Sequence, residues 1–237
     1  MVSTTKMTKM ISSAAAAVAC SAVLVSAQVQ SAPAQMPPAA QTAPAMQPAA
    51  PARPASPAGL AQTEVGGTYV KVGQRNRYQG GKWIEIAYSR PLKRGRDVFG
   101  TGAEYGKTLN SGAPVWRAGA NVSTRLKTEV PLVMAGKTVP AGEYSLFIEL
   151  KSPTEWTLIV SSWGAAKGGS EPAAGTLWGS FGYTADKDIV RVPMTLGKLN
   201  LSLDQLTWSF ADVTNDGGKI AIAWDTTLAW VPFTVSK

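Results

Sequence analysis

Histidine is absent from this chain, and cysteine occurs once, at Cys20. Without imidazole, no Ser-His-Asp or Cys-His nucleophile can be assembled. The His and Cys ligands typical of zinc, copper and haem iron are missing as well. One cysteine closes no intrachain disulfide, so stability has to come from packing. No cofactor and no metal is expected. Acids are sparse too, with 15 Asp+Glu against 23 Lys+Arg and a formal net charge of +8. No apolar run reaches the ~20 strongly apolar residues of a spanning helix. No internal repeat is evident, and nothing long has helical periodicity. The chemistry that remains is that of carboxylate, amine, guanidinium, phenol and hydroxyl groups.

The amino-terminal segment reads as an export address. Lys6 and Lys9 precede an uncharged stretch from Met10 to Val25 (MISSAAAAVACSAVLV), and Val25-Ser26-Ala27 supplies small residues for cleavage. This is the three-part secretory pattern, and it defines residues 1–27 as a signal peptide. Ala-Val-Ala-Cys also resembles a bacterial lipoprotein box, which would place a lipid on Cys20. The apolar run continues past Cys20, which favours cleavage after Ala27. Residues 28–59 hold eight prolines, eleven alanines and one charge, Arg53. Proline at that density removes backbone donors and blocks helix, so a disordered, semi-extended linker is expected. The mature chain is then periplasmic or extracellular, with no transmembrane segment.

Residues 60–237 suit one domain with a sizeable core. Period-two alternation recurs along them. Ile84, Ile86 and Tyr88 share one face, as do Tyr144, Leu146, Ile148 and Leu150. Trp156, Leu158 and Val160 form a third set, Leu206, Trp208 and Phe210 a fourth, and Ile220, Ile222 and Trp224 a fifth. Asp186–Leu199 holds one more strand (Ile189 to Met194) and a short helical turn. Trp230-Val231-Pro232-Phe233 reads as a last, edge-like strand, because Pro232 cannot donate to a ladder. Ala135-Gly136-Lys137, Pro140-Ala141-Gly142 and Asn215-Asp216-Gly217-Gly218 are turn signals, the last a hairpin between the Trp208 and Trp224 strands. The fold class is all-β, an antiparallel sandwich or partly open barrel.

The segment YSRPLKRGRDVFG (Tyr88 to Gly100) places Arg90, Lys93, Arg94 and Arg96 around one acid, Asp97. From Leu60 onward the net charge falls to +5, spread along the chain with no nucleic-acid reader motif, so nucleic acid is excluded as a partner. Two roles compete for the arginines. In one, Arg90, Arg96 and Arg117 tie loops to backbone carbonyls and to acids such as Glu104 or Asp97. In the other, Arg90, Lys93, Arg96, Trp116, Arg117 and Asn121 line one ligand site, since a guanidinium fork matches carboxylates. Of the eight tryptophans, Trp83, Trp156, Trp208 and Trp224 lie within strands and read as core. Trp163 and Trp178 flank a glycine-rich stretch, Trp163–Thr176, that reads as a mobile surface loop able to present them to sugars. Glu85, Glu143, Glu149, Asp186, Asp188, Asp204, Asp212 and Asp225 are the acids from which a glycoside-hydrolysing pair would be drawn. Asp212–Gly217 lacks the alternating spacing of a calcium loop and reads as a plain hairpin turn.

Several of these segments, taken in order, resemble one family: YSRPLKRGRDVFG, EYGK, VWRAGAN, AGKTVPAGEYSLFIEL, EWTLIV, DKDIVRVPM, LTWSFADVTNDGGKIAIAWDTT and VPF. The order resembles domain of unknown function 2911, a group of exported bacterial proteins. The resemblance covers about Leu60 to Val235. It implies a secreted β-rich domain and brings no established activity, cofactor or catalytic residue. Thr108 to Pro114 are extra relative to that pattern, and Val122 stands where the family usually has an acid. The functional expectation is an exported, non-catalytic β-sandwich that binds an envelope component, a glycan or a small acidic ligand. The alternative is a carboxylate-dependent hydrolase acting on a glycan.

Overall fold

A computed structural model describes residues 55–169 and 172–236. The expected signal peptide, Cys20 and the linker as far as residue 54 lie outside the described residues. In chain order the strands are β1 (Ala58–Val65), β2 (Thr68–Val72), β3 (Arg75–Gln79), β4 (Lys82–Ser89), β5 (Thr124–Thr128), β6 (Leu132–Met134), β7 (Lys137–Val139), β8 (Gly142–Ser152), β9 (Glu155–Ser161), β10 (Gly164–Ala165), β11 (Thr176–Leu177), β12 (Asp188–Pro193), β13 (Thr195–Thr214) and β14 (Gly217–Val235). One α-helical turn, α1 (Lys107–Asn110), and two 3-10 turns, Gly102–Glu104 and Ala185–Lys187, interrupt them.

Two antiparallel sheets share one core. The larger runs β1-β4-β5-β8-β9-β12 and the smaller β13-β14-β6-β7. The alternation read from sequence sets their inner faces. Ile84, Ile86, Leu146, Ile148, Leu158 and Val160 come from the larger sheet, and Leu206, Ile220, Ile222, Val231 and Phe233 from the smaller. Trp116 stacks on Trp224 with centroids 6.1 Å apart and 16° between planes, and Phe99 and Trp156 close around them edge-on or tilted. Such pairs add about 0.5–1.5 kcal/mol each beyond their buried area. The chain is therefore an antiparallel β-sandwich, with no closed barrel among the described residues.

The middle of the larger sheet is buried on both faces. Phe147 and Ile159 point away from the shared core and pack under Val115, Leu177 and Tyr183. The strands are longer than their alternating stretches. β13 and β14 pair at Thr195–Lys198 and again at Thr207–Ala211, with broken register around Leu203 and Asp225. The gap is filled by the segment that follows β4: Leu92 bridges Gln205, Leu206 N donates to Pro91 O, and Lys93 N donates to Asp204 O. β14 doubles back there, with Asp225 at φ 53°, until Val235 N reaches Asp216 O at 2.8 Å.

Three readings are corrected by this architecture. Trp83 is 42% exposed, because alternation places it beside Glu85 on the outer face, opposite Ile84 and Ile86. Trp230–Phe233 is the end of β14, which lies between β13 and β6 in the sheet order. Pro232 is tolerated there because the β13 pairing ends at Trp230 and the β6 pairing begins at Thr234. By contrast, the strand and short helical turn read for Asp186–Leu199 are present as β12 and Ala185–Lys187, and Thr195 onward belongs to β13. The ends of the Trp163–Thr176 stretch are fastened, since β10 and β11 pair in parallel and Trp163 Nε1 donates to Thr184 O at 3.0 Å. Among the described residues no helix is long and apolar enough to cross a membrane.

Candidate functional site

The cations of the Tyr88–Gly100 segment are largely spent inside the protein. Arg90 donates to Leu206 O at 3.4 Å and Thr207 Oγ1 at 3.3 Å. Lys93 Nζ lies 2.5 Å from Asp225 Oδ1, which also accepts from Ser202 Oγ at 2.7 Å. The hydrogen bond from Lys93, then that from Ser202, holds the Asp225 carboxyl below the usual aspartate range. Arg96 donates to Lys93 O and Leu92 O, which curls its own loop. Backbone N–H of Arg94 reaches Asp204 Oδ1 at 2.8 Å. The acids near this loop bond elsewhere: Asp97 accepts from Gly100 N, and Glu104 pairs with Lys107. This stretch stitches the larger sheet to the bend of β13 and β14.

Trp116 is 1% exposed, in the aromatic centre of the core, and its backbone exchanges hydrogen bonds with Ile148 on β8. That anchorage projects the next residue, Arg117, outward at one end of the sandwich. The loop that follows needs small residues. A Cβ on Gly119 would stand 2.9 Å from Thr124 Oγ1 and 3.2 Å from Ser89 O. Ala118 and Asn121 adopt left-handed φ of 52° and 59°. The Arg117 guanidinium folds over Gly179, where a Cβ would lie 2.6 Å from Nη1. Its hydrogen bond goes to Asn121 O at 2.8 Å, and its Cζ sits 5.5 Å from the centroid of Phe181, a ring 48% exposed.

Arg117 differs from the cations of the basic segment in one respect. Burial pushes its pKa below the ordinary arginine value; like Arg90 and Arg96, it has no carboxylate partner among the described residues. Arg125, also lowered by burial, is by contrast opposed by Glu143. Beside Arg117, Ser180 is fully buried and its Oγ has no hydrogen-bond partner. Ser123 Oγ donates to Gly179 O at 2.5 Å and fixes that turn. Half-buried Trp163 and Trp178 border the same loops, and Lys187 Nζ sits 3.9 Å over the Trp163 ring. Of the residues singled out from sequence, the structure places Arg117 and Asn121 together at this end, Trp116 in the core beneath, and Arg90, Lys93 and Arg96 on other partners. Phe181 carried no sequence signal that would have marked it.

The acids also sort themselves. Arg191 bridges Glu149 and Asp188 at 2.8 Å each, and the Tyr183 hydroxyl donates to Asp188 at 2.6 Å. Burial first, then the bond to Asp188, pushes the Tyr183 phenol well above the usual tyrosine range. Asp212 pairs with Lys219 at 2.5 Å, Glu143 with Arg125 at 3.8 Å, and Asp186 accepts from Thr184. Glu85, which accepts from Gln62, lines a cavity of about 180 Å³ together with Glu129, Lys127 and exposed Trp83. Among the described residues no cluster of three or more acids or cysteines is arranged to hold a metal ion.

A family model described as "Protein of unknown function (DUF2911)" matches residues 71–233. No curated protein and no solved structure matches the chain.

Proposed function

We propose, for a chain that belongs to the DUF2911 family, that it is an exported, non-catalytic binding module whose ligand is a small acid or an acidic sugar held at Arg117. The observation that carries this reading is the half-buried guanidinium without a carboxylate partner among the described residues, set beside the exposed Phe181 ring. A desolvated cation gains most from an anion presented in its plane, and the guanidinium fork suits a carboxylate or phosphate. Phe181 offers a flat apolar surface to the ring of a sugar, and Asn121 offers a polar contact at the rim. Export rests on Lys6, Lys9, the Met10–Val25 run and the small residues before Gln28. On that reading the module works in the periplasm or outside the cell.

Calorimetric titration of the exported chain with uronic-acid oligomers, phosphosugars and neutral sugars tests the site. Acidic ligands are expected to bind, and Arg117→Ala to weaken them about 10- to 100-fold, the range for a charge-assisted hydrogen bond of ~1.5–3 kcal/mol. Arg117→Lys keeps the charge but loses the fork, and should fall between. Binding unchanged in Arg117→Ala, or none to any acidic ligand, overturns the proposal. The second reading, a glycan hydrolase, is favoured only by Glu85 and Glu129 sharing a cavity with Trp83. New reducing ends released by the native chain and lost in Glu85→Gln would establish it instead.

A further inference from the structure

Among the described residues, the β2–β3 hairpin is the one paired element that contributes nothing to either core. Its residues are exposed on both faces except for Val70 and Tyr78, which are half-buried. From Gly66 to Trp83 the sequence carries Lys71, Arg75, Arg77 and Lys82 and no acid. Among the described residues no carboxylate pairs with any of the four. The pairing register is Val72 opposite Arg75, Val70 opposite Arg77, and Tyr69 opposite Tyr78. Cross-strand neighbours share a face. One face therefore presents two arginines, each beside a valine, and Val72 at the tip is 45% exposed. The other face is fixed to the body: Tyr78 OH donates to Asn215 Oδ1 and accepts from Gly67 N, both at 2.8 Å. Tyr69 is 74% exposed at its edge.

We infer that this hairpin is a docking surface for an anionic lipid bilayer. An isolated two-stranded ribbon is marginal in water, so these two tyrosine bonds hold an element that packs nothing beneath it. Four cations without a carboxylate partner supply charge complementarity to anionic headgroups, each worth about a fivefold change in binding near such a surface. A purely ionic partner, such as a soluble polyanion, would use the arginines alone. Val72 beside them gives apolar surface that reaches past the headgroups, while Tyr69 stands on the opposite face of the ribbon. The surface is separate from the Arg117 loops, so either assignment can fail without the other.

The test is flotation of the exported chain with vesicles of equimolar phosphatidylglycerol and phosphatidylcholine, against vesicles of phosphatidylcholine alone. The chain should float with the anionic vesicles only, and less as salt rises. Replacing Lys71, Arg75 and Arg77 together by Gln should weaken binding on the order of 100-fold. Near-ultraviolet circular dichroism should stay unchanged in that variant, since the hairpin buries no core residue. Val72→Ser should weaken vesicle binding while leaving the salt dependence as it was. Absence of binding to anionic vesicles overturns the inference, as does binding that survives the triple replacement. Equal affinity for soluble dextran sulfate with no effect of Val72→Ser overturns it in favour of a polyanion.

Discussion

Asp225 occupies a left-handed φ of 53° where β14 turns back, and its carboxylate accepts from Lys93 and Ser202. The Lys93 bond, mainly, depresses its folded pKa below that of the unfolded chain. Such a group stabilises the fold above the ordinary aspartate value of about 3.9, and the contribution disappears as pH falls through the lower, folded value. Asn tolerates positive φ, so Asp225→Asn isolates the charge from the backbone geometry. The pair is partly exposed, so the variant should lose about 1 kcal/mol at neutral pH by urea titration. That difference should shrink toward pH ~3, and a gap constant with pH would refute the argument. The same residues show why the candidate site was only half legible. Four neighbouring cations suggest a common anion, yet Arg90 and Lys93 take partners more than a hundred positions away, on β13 and β14. Arg117 stood out by its WRAGAN context, but what sets it apart is the burial of its guanidinium, which adjacency in sequence does not reveal.

Among the elements, the β13–β14 hairpin depends on a single glycine. A Cβ on Gly217 would lie 2.2 Å from Phe233 O and 2.9 Å from Thr234 Cα, where β14 returns to its own start. Backbone cannot yield as a side chain does, so Gly217→Ala should cost about 3 kcal/mol, the upper part of the overpacking range. Gly136 in the β6–β7 turn has φ 75° with open space around it. Its replacement by Ala should cost only the left-handed strain of about 1–2 kcal/mol. Denaturant midpoints of the two variants check that order. The Asn-Asp-Gly-Gly signal for this hairpin was plain, and so were β4, β8 and β9, whose apolar residues alternate cleanly. β5 was not, because its buried positions include Thr124 and Thr128, which look polar. β2 and β3 were missed for a different reason: with no buried face, they have no apolar stripe to read. The outer half of β13 likewise leaves Leu201 59% exposed, so its leucines do not mark a core face.

At the scale of the molecule, two sheets are held by packing and by the hydrogen bonds of the Arg90–Lys93 stretch, with no bridge of sulfur and no imidazole to titrate. No side chain in the sequence has an ordinary pKa between about 5 and 8. The thermal midpoint should therefore be flat across that range and fall only as carboxylates such as Asp225 protonate, which calorimetry at stepped pH will show. A sloping midpoint near neutrality would point to a strongly displaced acid or amine. The larger sheet ends in β1, whose first residue, Ala58, pairs with Ser89, while Pro57 O accepts from Arg90 N. Any pull transmitted through the residues before Ala55 meets this outermost strand first. It loads the rungs in sequence, from Ala58–Ser89 toward Val65–Lys82, so β1 would unzip at low force like a mechanical fuse while the strands behind it stay shut.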